Sequence, residues 1–150
     1  MNNAIASILE ARKGGVWFAS SIDKRAVQSA AKKEGFTCFH IDGKSIERKE
    51  QLLNHVATAL RLPRSFGENW DALEEALIDL EGDGDGYVIF YDHIDGLLSG
   101  HPDQFETLVE ILRDAVDSWK EDGTPMVVLL SGAKGPKGVA KLKSETAGRE

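Results

Sequence analysis

A chain of 150 residues, 41% of them hydrophobic, fits one globular domain, and at this size folding buries roughly 68–70% of the surface the unfolded chain exposes. The single cysteine, Cys38, excludes an internal disulfide, and no spacing of zinc ligands occurs along the chain. A formal charge of −7 argues against a nucleic-acid binder, which would carry a basic field, and no run approaches the roughly 20 apolar residues of a membrane span.

Ala4, Ile5, Ile8 and Leu9 recur at helical spacing and predict a short N-terminal helix. Its apolar run is too short, and its start too poor in basic residues, for a signal peptide, so a cytoplasmic protein is expected. Val16–Ala19 follows a glycine pair and reads as a buried strand. Ser21 is the expected cap of a helix from Ile22 to Lys33, closed by Gly35. Phe36–Ile41 is the second strand, ending at the turn signal Asp42-Gly43. Ser45 opens a capping-box-like S-I-E-R, and the helix after it points Leu52, Leu53, Val56 and Leu60 inward before Pro63 ends it. Another helix occupies RSFGENWDALEEALIDL, and the glycine-aspartate loop 82–86 ends it. Tyr87–Tyr91 is an unbroken apolar run of the kind found in central parallel strands. Pro102–Glu121 is a long amphipathic helix, and Met126–Leu130 the last strand. Strands alternating with helices imply an α/β fold with a parallel sheet of about four strands covered by helices. Residues 134–150 offer little to bury and read as a flexible tail, leaving 1–133 as a single domain.

Charge is unevenly spread. Residues 1–35 hold six Lys/Arg and three acids, whereas residues 63–86 hold eight acids and one base, Arg64. At about 100° per residue with Asp71 as zero, Glu75 lies near 40°, Glu68 near 60° and Asp79 near 80°. Glu74, near −60°, widens the acidic surface, while Leu73, Ala76, Leu77 and Leu80 form the core face between about 140° and 240°. Like charges four apart cost a few tenths of a kcal/mol per pair, and both Asp71/Glu75 and Glu75/Asp79 qualify. The helix dipole and an Asn69 N-cap favour Asp71 but not the acids further along. A departure from local consistency of this kind marks a functional surface.

The segment LPRSFGENWDALEEALIDL resembles the signature of the barstar family of ribonuclease inhibitors, above all in G-E-N-W-D-A-L. The resemblance covers roughly Phe36–Ser131, with residues 1–35 an added helix-strand-helix unit. It implies a cytoplasmic immunity protein, not an enzyme, that plugs the active site of a basic, extracellular-type ribonuclease, a barnase-like toxin. Carried over residue by residue, Asp71 matches the acid at the start of the binding helix, and Glu75 the family's most important acid, usually Asp. Gly67, Asn69 and Trp70 match the contacts of the loop and helix start. Phe66 keeps one of two aromatics often found before the glycine, and Ser65 replaces the other. Glu74 stands where Trp is frequent, and the family's further acidic contact has only a loose match in Asp114. The expected partner-binding set is Phe66, Gly67, Asn69, Trp70, Asp71, Glu74, Glu75 and Asp79, with no catalytic residue, cofactor, metal, nucleic acid or membrane.

The physics agrees with that expectation. A ribonuclease cleft is lined by cations because it holds phosphates, and carboxylates at helical spacing imitate phosphate oxygens through charge-assisted hydrogen bonds. The rival reading is a phosphoacceptor or metal-assisted domain, because Asp42, Asp92, Asp95, Ser131 and Lys134 all follow strands. The position after the first strand, Ala19-Ser20-Ser21, lacks the acids such a receiver needs. The loop from Asp83 has Ile94, not Glu, at the twelfth position of a calcium loop, and Gly132–Gly135 lacks the Walker spacing. His40 and His55 read as structural histidines, and His93, between Asp92 and Asp95, as a strand-end histidine with a ligand role as the alternative; Cys38 reads as a packed thiol, and Trp17 and Trp119 as packing. Trp70 is read as either core or contact.

Overall fold

The computed structural model describes residues 2–63, 69–82 and 84–142. In chain order the elements are α1 (Asn2–Glu10), β1 (Gly15–Ala19), α2 (Lys24–Glu34), β2 (Phe36–Asp42), α3 (Lys49–Ala59) and α4 (Trp70–Ile78). Then follow β3 (Gly86–Asp92), α5 (Asp95–Gly100), α6 (Pro102–Glu121), β4 (Met126–Ser131) and β5 (Ala140–Lys141). The strands form one sheet of order β2-β3-β4-β1-β5, parallel throughout. The expected parallel α/β architecture is therefore present, with one strand more than the apolar runs announce.

Strand alternation divides the core in two. Val88 and Phe90 of β3 and Val127 and Leu129 of β4 face α1 and α2, meeting Ile5, Leu9, Val27 and Ala31. Tyr87, Ile89 and Tyr91, with Met126, Val128 and Leu130, face the other way onto α3 to α6. Strands buried on both sides have no polar face to show, which is why β3 and β4 read as continuous apolar runs. The N-terminal unit thus extends the sheet beside β4 and lays two helices over its second face.

Three local expectations are corrected. Asp23, not Ser21, caps α2: its carboxylate accepts from the Arg25 N–H at 3.0 Å, and its charge suits the positive end of the helix. Gly35 does close that helix, at a φ of 80° that side chains with a Cβ rarely adopt. The helix after Ser45 starts only at Lys49, because Gln51 reaches back to accept from the Glu47 and Arg48 N–H groups at 2.7 and 3.2 Å. The Ser45 hydroxyl instead faces His55 Nε2 at 3.4 Å. Finally, the stretch from Lys134 is part of the domain through Leu142. Val139 is buried, β5 pairs with Trp17 and Phe18, and the Leu142 N–H bonds the Phe18 carbonyl at 2.8 Å. Pairing with an open strand edge uses backbone groups, so side-chain composition does not announce it.

Candidate functional site

Helix α4 is built to stay in place. Asn69, with extended backbone, accepts from the Ala72 N–H through Oδ1 at 2.8 Å, the N-cap that the sequence predicts. Leu73, Leu77 and Leu80 are buried in the main core. At the far end, where carbonyls have no partners within the helix, Trp119 of α6 donates its indole N–H to the Leu77 carbonyl at 2.8 Å. Tyr87 of β3 donates its hydroxyl to the Leu80 carbonyl at 2.9 Å. The two rings pack with centroids 5.0 Å apart. Both ends of the helix are therefore tied to the fold, and its outer face is presented without a cost of ordering.

That outer face carries Asp71, Glu75 and Asp79, all exposed, with Glu74 half-buried beside them. Asp79 closes the helix as its C-cap. Among the described residues no cation lies within ion-pair distance of any of the four. Asp79 sits at the negative end of the dipole, where a carboxylate is disfavoured. The stripe thus costs the free protein a little stability and leaves its charges available. Trp70 is half-buried against the core with the Lys49 ammonium 5.2 Å over its ring, a cation–π contact that joins the starts of α3 and α4. The core reading of Trp70 is thus partly realised. Phe66 and Gly67 lie outside the described residues, and Asp114 is exposed on α6.

Ile78 is the residue that the sequence reading passed over. At 39% exposure it is the exposed large hydrophobic among the described residues. On the helical wheel it falls near −20°, between Glu74 and Asp71. An apolar side chain on the polar stripe was the available signal. On its other flank the acidic face borders a groove of about 830 Å³, walled by Glu75, Ala76 and Asp79 and by Arg61 to Pro63, with Phe39 in its floor.

The acids after the strands do not share one fate. Asp95 accepts from the Ala133 N–H at 2.7 Å, clamping the end of β4 to α5. Ser131 is buried, its carbonyl accepting from Ile94 at 3.1 Å, and Lys134 is exposed. Asp42 and Asp92 come together because they are partners in the β2–β3 register. Asp92 Oδ2 meets His40 Nε2 at 3.0 Å, and its Oδ1 meets His93 Nδ1 at 3.2 Å. Burial pushes the Asp92 carboxyl up, but the bonds from His40, His93 and the Gly43 N–H outweigh it and hold the group below its usual range. His40 and His93 are therefore a bonded pair around one carboxylate, not isolated side chains. The absence of metal-ligand spacing in the sequence does not carry over to the fold, since Asp42, Asp92 and His93 converge from two strands.

Cys38 is a packed thiol. Burial, partly offset by the Lys24 ammonium, pushes its pKa up to about 11. At pH 8 only about one molecule in a thousand would carry the thiolate, against roughly a quarter for an ordinary cysteine. Alkylation by iodoacetamide is expected to run about a hundredfold slower than for an unhindered thiol. A rate matching free cysteine would contradict this picture of the strand.

No curated protein matches the chain in sequence. Among solved structures, the Aeropyrum pernix ORC2 protein in its ADPNP–ADP complexes is similar at a TM-score of 0.60 and 19% identity over 89% of this chain. The chain spans 40% of that protein's length. Drosophila ORC bound to DNA aligns at a TM-score of 0.45 and 15% identity, over 89% of this chain and 81% of the other. At these identities the likeness is one of fold alone, and it is carried by the first of the two. A family model described as Barstar (barnase inhibitor) matches residues 36–131, from the first residue of β2 to the last of β4 and across the acidic helix. The chain belongs to the barstar family.

Proposed function

We propose that this protein is an inhibitor that occludes the active site of a basic ribonuclease, with α4 as the inserted element. The observation that carries the reading is a row of exposed carboxylates, unpaired among the described residues, on a helix tied at both ends to the fold. Asp71, Glu75 and Asp79 take the place of substrate phosphates before the cleft's Lys, Arg and His, and Glu74 adds to the field. Ile78 supplies the apolar contact at the centre that excludes water around the charged pairs. Asn69 and Trp70 set the start of the helix against the rim, and Phe66 and Gly67 are proposed as further contacts because the G-E-N-W-D-A-L segment resembles the family's motif. A cytoplasmic immunity role follows: the inhibitor silences a secreted-type toxin in the cell that makes it. No helix is long and apolar enough to cross a membrane among the described residues.

The direct test is affinity capture from the chain's own source, followed by titration of the purified chain against any small basic ribonuclease so captured, with a fluorogenic RNA as reporter. Stoichiometric loss of cleavage supports the proposal, and full activity at saturating inhibitor overturns it. Ionic strength gives a second check. Opposed fields steer encounter, so the association rate is expected to fall steeply between low salt and about 0.5 M, with dissociation changing less. An association rate indifferent to salt would point to an apolar docking surface instead.

A further inference from the structure

We infer that Asp42, Asp92 and His93 form a binding site for a divalent metal ion of the zinc class, at the C-terminal ends of β2 and β3 and separate from the acidic helix. One ligand atom from each residue lies within 4.8 Å of the others. The separation of Asp92 Oδ1 and His93 Nδ1 is 3.2 Å, a hydrogen bond in the free protein. Two ligands each about 2.0–2.1 Å from one ion, at the tetrahedral angle, stand about 3.3 Å apart, so an ion replaces the shared proton with little movement of either side chain.

The fold explains how three residues so far apart in sequence meet there. Asp42 and Asp92 face each other in the parallel register, and the Gly43 N–H bonds the Asp92 carbonyl at 3.1 Å, closing the two strand ends together. A Cβ on Gly43 would stand 2.4 Å from that carbonyl oxygen, so only glycine lets the strands approach this closely. His93 follows with φ at 51°, which turns the chain so that its ring comes back over Asp92. Beyond the ligands, His40 bonds the second Asp92 oxygen and itself packs on Phe90 with centroids 5.1 Å apart. Such an outer partner fixes the orientation of a ligating carboxylate.

The donor set selects the ion. Two carboxylates and one imidazole, with one position open to water, is the three-ligand arrangement that zinc accepts. Calcium and magnesium prefer oxygen donors in larger number, and an imidazole favours zinc over both. Asp42 is exposed and the His93 side chain is 51% exposed, so an ion enters from solvent without opening the fold. On binding, His93 carries its proton on Nε2, and the Nδ1 lone pair, in place of an N–H donated to Asp92, faces the metal.

Isothermal titration of the full chain with zinc chloride at neutral pH tests the site. One ion per chain with micromolar affinity is expected, with cobalt giving the visible absorption of a tetrahedral site. Two variants keep the fold by design. His93→Gly suits the positive φ already present, and Asp42→Asn retains the oxygen that accepts from the Lys44 N–H at 3.0 Å. Each is expected to weaken zinc binding by at least about tenfold, with an unchanged circular dichroism melt, while His55→Ala binds as the parent does. No heat of binding by the parent, or equal affinity in His93→Gly and Asp42→Asn, would overturn the assignment.

Discussion

Glu75→Ala is expected to weaken binding to the captured ribonuclease by roughly 2 kcal/mol or more, about 30-fold, while leaving the free protein's stability within about ±0.5 kcal/mol. The two halves of that result have different causes. In the free protein Glu75 is exposed and is flanked at helical spacing by Asp71 and Asp79, so removing it relieves repulsion and breaks no ion pair seen among the described residues. In the proposed complex the same truncation would strand a buried cation in the partner's cleft, and that penalty is far larger than the value of an exposed pair. Asp71→Ala should follow the same pattern with a smaller loss of binding. It lies at the start of α4, where the dipole compensates the charge, and Glu75 lies at the centre of the stripe. Equal affinity of both variants and the parent would reduce the stripe to a solvated face.

Leu77→Ala should behave in the opposite way, costing about 2–5 kcal/mol of folding stability. That is roughly a 4–20 °C fall in the melting temperature for a domain of this size. Leu77 is 2% exposed and is enclosed by both sheet and helix neighbours, among them Ile89, Val128, Leu108 and Leu112 around a small apolar void of about 20 Å³. Strands paired on both sides and a 20-residue helix leave those neighbours little freedom to close a new cavity. Binding by the folded fraction should hardly change, because Leu77 faces away from the acidic surface. Denaturant midpoints at constant m-value and nuclease affinities, measured on the same preparations, separate the two classes of variant. A Leu77→Ala protein as stable as the parent would show that α4 is not held by its core face.

Local periodicity by itself determined the main architecture. The continuous apolar runs 87–91 and 126–130, short and rich in β-branched and aromatic residues, read as strands buried on both faces, and the spacing of Leu73, Leu77 and Leu80 assigned the inner side of the acidic helix. Asn69 announced the start of that helix because a cap acts on N–H groups two or three residues away, within reach of sequence reasoning. The tertiary structure decided everything that depends on partners distant in the chain. β5 entered the sheet through backbone pairing with β1, which its polar composition hides. Trp119 and Tyr87 were legible as apolar residues, but not as the donors that satisfy the last carbonyls of α4. Ile78 had a legible place on the wheel, yet its exposure depended on where α6 and the sheet stop covering the helix. Most of all, Asp42 and Asp92 were legible as acids that follow strands, but not their meeting with each other, His40 and His93. The parallel register of β2 and β3 sets Asp42 opposite Asp92 across fifty positions of sequence, and the turn at His93 completes the cluster. Hydrophobic pattern is a property of neighbours along the chain, whereas a site is a property of neighbours in space, and only the sheet register converts one into the other.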